Sequence, residues 1–362
     1  MSTSSARSLR VPLSARLRLF LPLLGLTAAC GSSSRTPPAA SPPVGVPPAA
    51  TEPAAPLPAT GTPISQFVRR IHEDARGHLW LGTNGDGVAR WNGTRLEWFR
   101  AANGLPGVAV RAFVEDRAGN LWIGTEAGVT KYDGKRFVHY TSRDGLPDND
   151  VWCLELDRSG TLWVGTLQGA CRFDGVRFTP FALPEGTPDP NQGVTSASMV
   201  RAVTEDRAGR IWFATNSGAW VFDGKTLTNY STTEGLTDPN VNSILEDRTG
   251  RVWFATHYGG VCYLEGGKMT AVTEAAGVRG VEVWNLFEDR QGHVWFPVEN
   301  AGVYRFDGSK FRNYSAASGL DSNAIQCTHE DAAGRIWLGG YRGLFRVEGE
   351  RVVAVTKAGP WR

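Results

Sequence analysis

Paired carboxylates are the first residues in this chain that could do chemistry. Glu115-Asp116, with like pairs such as Glu205-Asp206 and Glu330-Asp331, would supply an acid and a base for proton transfer if a substrate lay between them. Their recurrence argues for another role. A catalytic pair is needed once, whereas a pair repeated at regular intervals ahead of a glycine has the make-up of a turn, in which a short carboxylate bonds the backbone beyond it. The six histidines are scattered, without the close spacing of a metal site. His72 and His329 hold equivalent places in the first and last copies of a repeat, and packing is expected of them in preference to a shared metal. Cys153 with Cys327, and Cys171 with Cys262, fall at equivalent places in non-adjacent copies. No pair should reach disulfide distance, and four buried thiols are expected. No metal and no cofactor follow from these residues.

The element that must position everything is the repeat. A tryptophan returns at 80, 122, 163, 212, 253, 295 and 337, in steps of 42, 41, 49, 41, 42 and 42. One copy reads Val110 to Asp116, Gly119 to Thr125, Gly128 to Gly134 and Arg136 to Tyr140, and each piece alternates as a strand does. The turn aspartates recur as Asp74, Asp157, Asp206, Asp247, Asp289 and Asp331, and the third strand ends in pairs such as Asp133-Gly134 that suit a tight hairpin. A four-stranded sheet of this size cannot hide both faces, so the copies must stack. An open solenoid is the competing architecture, but copies without helices or atypical caps favour a closed ring. The prediction is an all-β, seven-bladed β-propeller of four-stranded antiparallel blades over residues 64–356, with a tail at 357–362. All seven copies share one strand phase, so no exchanged strand is visible to latch the ring. An aromatic present in every copy belongs in the core between blades.

Aligned on the first strand, the residues five before each turn aspartate are Arg69, Arg111, Trp152, Arg201, Asn242, Trp284 and Gln326. If that strand is innermost, they ring the channel mouth, where arginine forks and tryptophan faces would suit an acidic sugar or peptide. Loops between second and third strands share that face and add His257, Tyr258, Glu299, Tyr341 and Arg342. A longer loop around Ala182 to Ser198 lies there too, as a lid or a tolerated insertion.

The remaining composition concerns address and partners. Lys+Arg 38 against Asp+Glu 36, interspersed along the folded part, disfavours nucleic acid. Four arginines, then the apolar run Leu19 to Leu26, then small residues before Cys30, have the shape of a secretory signal over 1–30, and the run is too short to span a bilayer. Residues 31–63 hold ten prolines among Ser, Ala and Thr and are expected to be an extended tether.

Two resemblances sharpen this. Leu26-Thr27-Ala28-Ala29-Cys30 resembles the bacterial lipobox, with Thr27 where leucine is usual. It implies lipidation at Cys30 as the sole membrane attachment and, with Gly31 following, an outer-membrane lipoprotein facing the periplasm. The Glu-Asp-x-x-Gly-x-Leu-Trp-Ile-Gly-Thr sentence, with Gly145-Leu146-Pro147 between copies, resembles the two-component regulator propeller repeat. That family implies periplasmic sensor domains of hybrid histidine kinases, for which glycans are common signals; no kinase follows here. The expected function is an envelope propeller that binds a glycan, another small molecule or an envelope protein, and is not an enzyme. The alternatives are a structural assembly platform and a metal-dependent lyase. For the lyase, Trp212 to Thr215 and Trp253 to Thr256 are similar to streptogramin lyase repeats, with His257 and Glu299 on the corresponding face.

Overall fold

The computed structural model describes residues 61–187, 195–273, 277–278 and 282–361. The signal, Cys30 and the tether up to residue 60 lie outside them, as does the middle of the long loop, 188–194. Seven four-stranded antiparallel sheets are each built from four consecutive strands, so the in-phase reading of the repeats holds. The tryptophans of the second strands are 0–4% exposed and face the neighbouring blades. Each also finds a partner that pattern alone does not show. Its indole Nε1–H donates to the turn aspartate of its own blade, at 2.7 to 2.9 Å in all seven copies. A buried indole donor needs such an acceptor, and the same carboxylate meanwhile holds the turn.

The glutamate beside each aspartate joins blades. Glu115, Glu205, Glu246, Glu288 and Glu330 each accept a backbone N–H from the turn of the preceding blade, at Ala75, Arg158, Arg207, Arg248 and Arg290. Glu73 accepts from Ala332, so the junction between last and first blades is made like the others. Only the third blade lacks the acid, at Leu156; its junction keeps the bond from the Arg117 guanidinium to the Arg158 carbonyl, a kind of bond that other junctions make beside their glutamate. The acid pairs are structural at both positions.

Closure is completed by the tail. Pro63 and Thr356 form an antiparallel bridge, and the Lys357 N–H donates to the Thr62 carbonyl at 3.1 Å. Trp361 folds back between first and last blades, 6% exposed. Its ring stacks on Trp91 with centroids 4.5 Å apart and planes 8° from parallel.

The glycine of the Trp-x-Gly-Thr segment is a close-approach residue. At Gly165 an added Cβ would lie 2.4 Å from Cys153 Sγ and 2.8 Å from the Val200 carbonyl of the next blade. Gly165→Ala is expected to cost about 1–3 kcal/mol by overpacking, read as a lowered melting temperature. The sixth blade departs from the pattern. Pro297 stands at that place and has no N–H for the ladder, and the first strand there shrinks to Phe287–Glu288.

Candidate functional site

The residues predicted to ring the channel are positioned by a repeated irregularity. In the first blade Val68 pairs with Thr83 and Arg70 with Gly82, so Arg69 is extra to the ladder. The same break isolates Arg111, Trp152, Arg201, Asn242 and Gln326. A bulge re-aims the side chain of its extra residue. Here it turns one residue from each of six blades into the channel. Trp284, from the sixth blade, joins them, and all seven line one cavity of about 290 Å³. Deeper in the same cavity lie Arg70 and Glu155, which the sequence reading did not single out; aligning the next positions of the same strand would have found them.

The cavity is rich in arginine. Arg111 pairs with Asp150, and Arg201 donates to Asn216 Oδ1 and feels the charge of Asp238. Arg70 donates its Nε–H to the Arg111 carbonyl at 3.1 Å. Arg69 has no hydrogen-bond acceptor among the described residues; its guanidinium lies over the Trp152 ring, 5.6 Å from the centroid, while that of Arg111 lies 4.5 Å from the same ring. Burial, then the charges of Arg111 and Arg70, lower Arg69 to about 10, so it remains a cation at neutral pH. Burial, with the charges of Glu205 and Asp157 adding to it, raises the Glu155 carboxyl to about 7. The channel therefore holds four guanidinium groups and few full negative charges. A second anion is what this field attracts.

The remaining candidates divide between two places. His257, Tyr258 and Glu299 stand around Trp284. The His257 ring packs edge-on to it at 5.3 Å and to Tyr258 at 4.4 Å, and the Trp284 indole donates to Glu299 Oε2 at 3.0 Å. Glu282 completes the group, its Oε1 3.6 Å from His257 Nδ1. Burial, then the charge of Glu299, raise Glu282 to about 7. Tyr341 and Arg342 instead line a groove of about 800 Å³ with Asn300, Asn313 and Asp321, apart from the channel cavity. The structure therefore does not bring all the predicted residues into one site.

The described ends of the long loop lie on the channel face: Ser196 Oγ donates to the Leu167 carbonyl at 2.6 Å, and Asn216 Nδ2 to the Ser196 carbonyl at 2.7 Å. Cys153, Cys171, Cys262 and Cys327 are buried free thiols. Burial, with the charge of His72 next, pushes His329 down to about 4, so the two rings sit as neutral neighbours. Among the described residues no group of three or more His, Cys, Asp or Glu side chains is arranged to hold a metal ion.

Comparison with known proteins bears on the fold and the family. The extracellular domain of the hybrid two component system BT3049 from B. thetaiotaomicron is 22% identical, with a TM-score of 0.50 over 75% of this chain and 44% of that one. The corresponding domain of the one component system BT4673 from the same organism is 18% identical, with a TM-score of 0.56 over 80% and 48%. This chain thus spans less than half the length of either. A catalytically inactive virginiamycin B lyase from Staphylococcus aureus, with quinupristin, is 14% identical, with a TM-score of 0.62 over 78% and 96%. At these identities the likeness is one of fold. No curated protein matches the chain. The two component regulator propeller model matches residues 62–85, 104–127, 145–168, 195–217, 235–258 and 319–342, passing over the sixth blade where Pro297 interrupts the pattern. With six matched repeats set in seven blades, the chain belongs to the two component regulator propeller family.

Proposed function

We propose that this propeller is a ligand-binding module of the bacterial envelope, anchored through lipid at Cys30 to the outer membrane on its periplasmic side, and that its channel mouth binds an anion. The carrying observation is Arg69: a cation set in the channel wall, braced on Trp152 and left without an acceptor among the described residues. A carboxylate from a sugar or a peptide would complete its hydrogen bonds and stack its own plane or ring against Trp152 or Trp284. The reading is one of binding, because the groups that converge on the cavity recognise charge and shape.

Arg69→Ala is expected to weaken binding of an acidic probe at least tenfold, the scale of a lost hydrogen bond to a charged group at about 1.5–3 kcal/mol, with an unchanged melting temperature. Arg111→Ala combined with Trp284→Ala should abolish it. The measurement is calorimetric titration with oligogalacturonate and with its methyl ester. Equal affinity for acid and ester would overturn the reading.

A further inference from the structure

The cavity wall is electrically lopsided. Blades one, two and four contribute Arg69, Arg70, Arg111 and Arg201, while the sixth blade contributes no base to the mouth and places two carboxyls beside Trp284. Glu282 and Glu299 are held side by side, because the Glu299 N–H donates to the Glu282 carbonyl at 2.9 Å. The Trp284 indole then fixes the Glu299 carboxylate at the rim of the same cavity that Trp284 lines. The Glu282 side chain is 31% exposed, and Tyr258, which packs on the His257 ring, is 42% exposed. Two carboxyls next to the Trp284 and Tyr258 rings form the surroundings an ammonium group prefers, since ring quadrupole and carboxylate attract it together.

We infer that the channel mouth takes a small zwitterion, its carboxylate on Arg69 and its ammonium between Trp284, Tyr258 and the Glu282–Glu299 pair, a short peptide with free termini being the simplest such ligand. This rests on the anion-binding reading above and adds the opposite charge to it. The titration of Glu282 agrees. Burial, then the facing Glu299 carboxylate, push it up to about 7, and an arriving ammonium relieves that repulsion. A cavity of about 290 Å³ restricts the guest to a small molecule or the end of a larger one.

The test is titration of the full propeller with trialanine, N-acetyl-trialanine and trialanine amide, repeated with dialanine and tetraalanine to match the spacing of the charges. The free peptide of best length is expected to bind at least tenfold more tightly than either capped form. In the Glu282→Gln/Glu299→Gln double variant, checked for an unchanged melting temperature, the advantage of the free peptide over the acetylated one should disappear, and its advantage over the amide should remain. If the acetylated peptide binds as tightly as the free one, the zwitterion inference is wrong and the anion reading stands. If the amide binds as tightly as the free peptide, the anion reading fails and takes this inference with it. Failure of every length of free peptide to bind would overturn the zwitterion inference, and the galacturonate titration then decides the anion reading separately.

Discussion

Replacing Asp247 with alanine is expected to destabilise the propeller by about 3–5 kcal/mol, the scale of removing one partner from a buried charged network, read as a lowered urea midpoint. Asp247 is 1% exposed. It accepts from Trp253 Nε1 and Arg251 Nε, both at 2.7 Å, and from the backbone N–H of Thr249 and Arg251. Alanine leaves a buried indole donor and a guanidinium unpaired together. The Asp247→Asn variant keeps one acceptor oxygen in place and should recover part of the loss. The same arrangement sets the acid limit of the fold. In all seven turns burial pushes the aspartate up, but the bonds from the tryptophan and from the turn backbone outweigh it, so each carboxyl lies below its ordinary value. A depressed folded value contributes stability above the unfolded value of about 3.9, and that stability is lost as pH falls through the folded values. Stability should therefore fall steeply below about pH 4, with a slope reporting uptake of several protons. A slope of one proton or fewer would contradict a shared role for the seven turns.

Trp361→Ala is expected to cost about 3–5 kcal/mol, as large buried aromatics do on truncation. The loss should appear as a lowered urea midpoint and as protease sensitivity confined to the first and last blades. Among the described residues no sheet contains strands from both ends of the chain, so the seam is held by the Pro63–Thr356 bridge, the bridges of Phe67 to Tyr341 and Gly343, the Arg342 N–H to the Gln66 carbonyl, the Ala332 to Glu73 bond and this ring. Trp361 packs with Ile64, Val68, Trp337 and Leu344, residues of both flanking blades. Its backbone carbonyl also accepts from Arg335 at 3.2 Å. Removing residues 357–362 should be at least as damaging. Unchanged stability in both variants would show that the backbone bridges and the Glu73 junction suffice without the tail.

The blades could be read from the sequence because their signals are local: an alternating strand, an Asp-x-x-Gly turn and a tryptophan, all within one period. The position of the channel ring was legible as well, since aligning copies places Arg69 over Arg111 and Trp152 without any knowledge of the ladder. Its mechanism was not. A bulge at that residue is invisible to a pattern of period two, which would have sent Arg69 and its equivalents to the face opposite Val68. The contacts between blades were also hidden. Glu115 meets Ala75 forty residues away, and nothing near Glu115 in sequence distinguishes an inter-blade acceptor from a second turn residue. Trp361 lies outside the period altogether, so the repeat that explains every other core tryptophan says nothing about it. Tyr341 and Arg342 share the loop face with His257 but line a groove apart from the channel cavity. In the seventh blade Gly340 stands where most blades have a threonine hydroxyl to hold the turn, and Arg342 takes a left-handed conformation, φ 67°.

The bulges bear on how such a molecule diversifies. A residue that is extra to the ladder pairs with no partner strand, and its side chain leaves the blade core for the channel. Substitution there is uncoupled from the interlocking of tryptophan, aspartate and glycine that builds the ring. The fold thus carries six bulged letters in its channel ring, spelled here Arg, Arg, Trp, Arg, Asn and Gln, with Trp284 of the sixth blade standing among them without a bulge. Descendants of one blade sequence can acquire new chemistry by changing one letter per copy while every repeated contact stays in place.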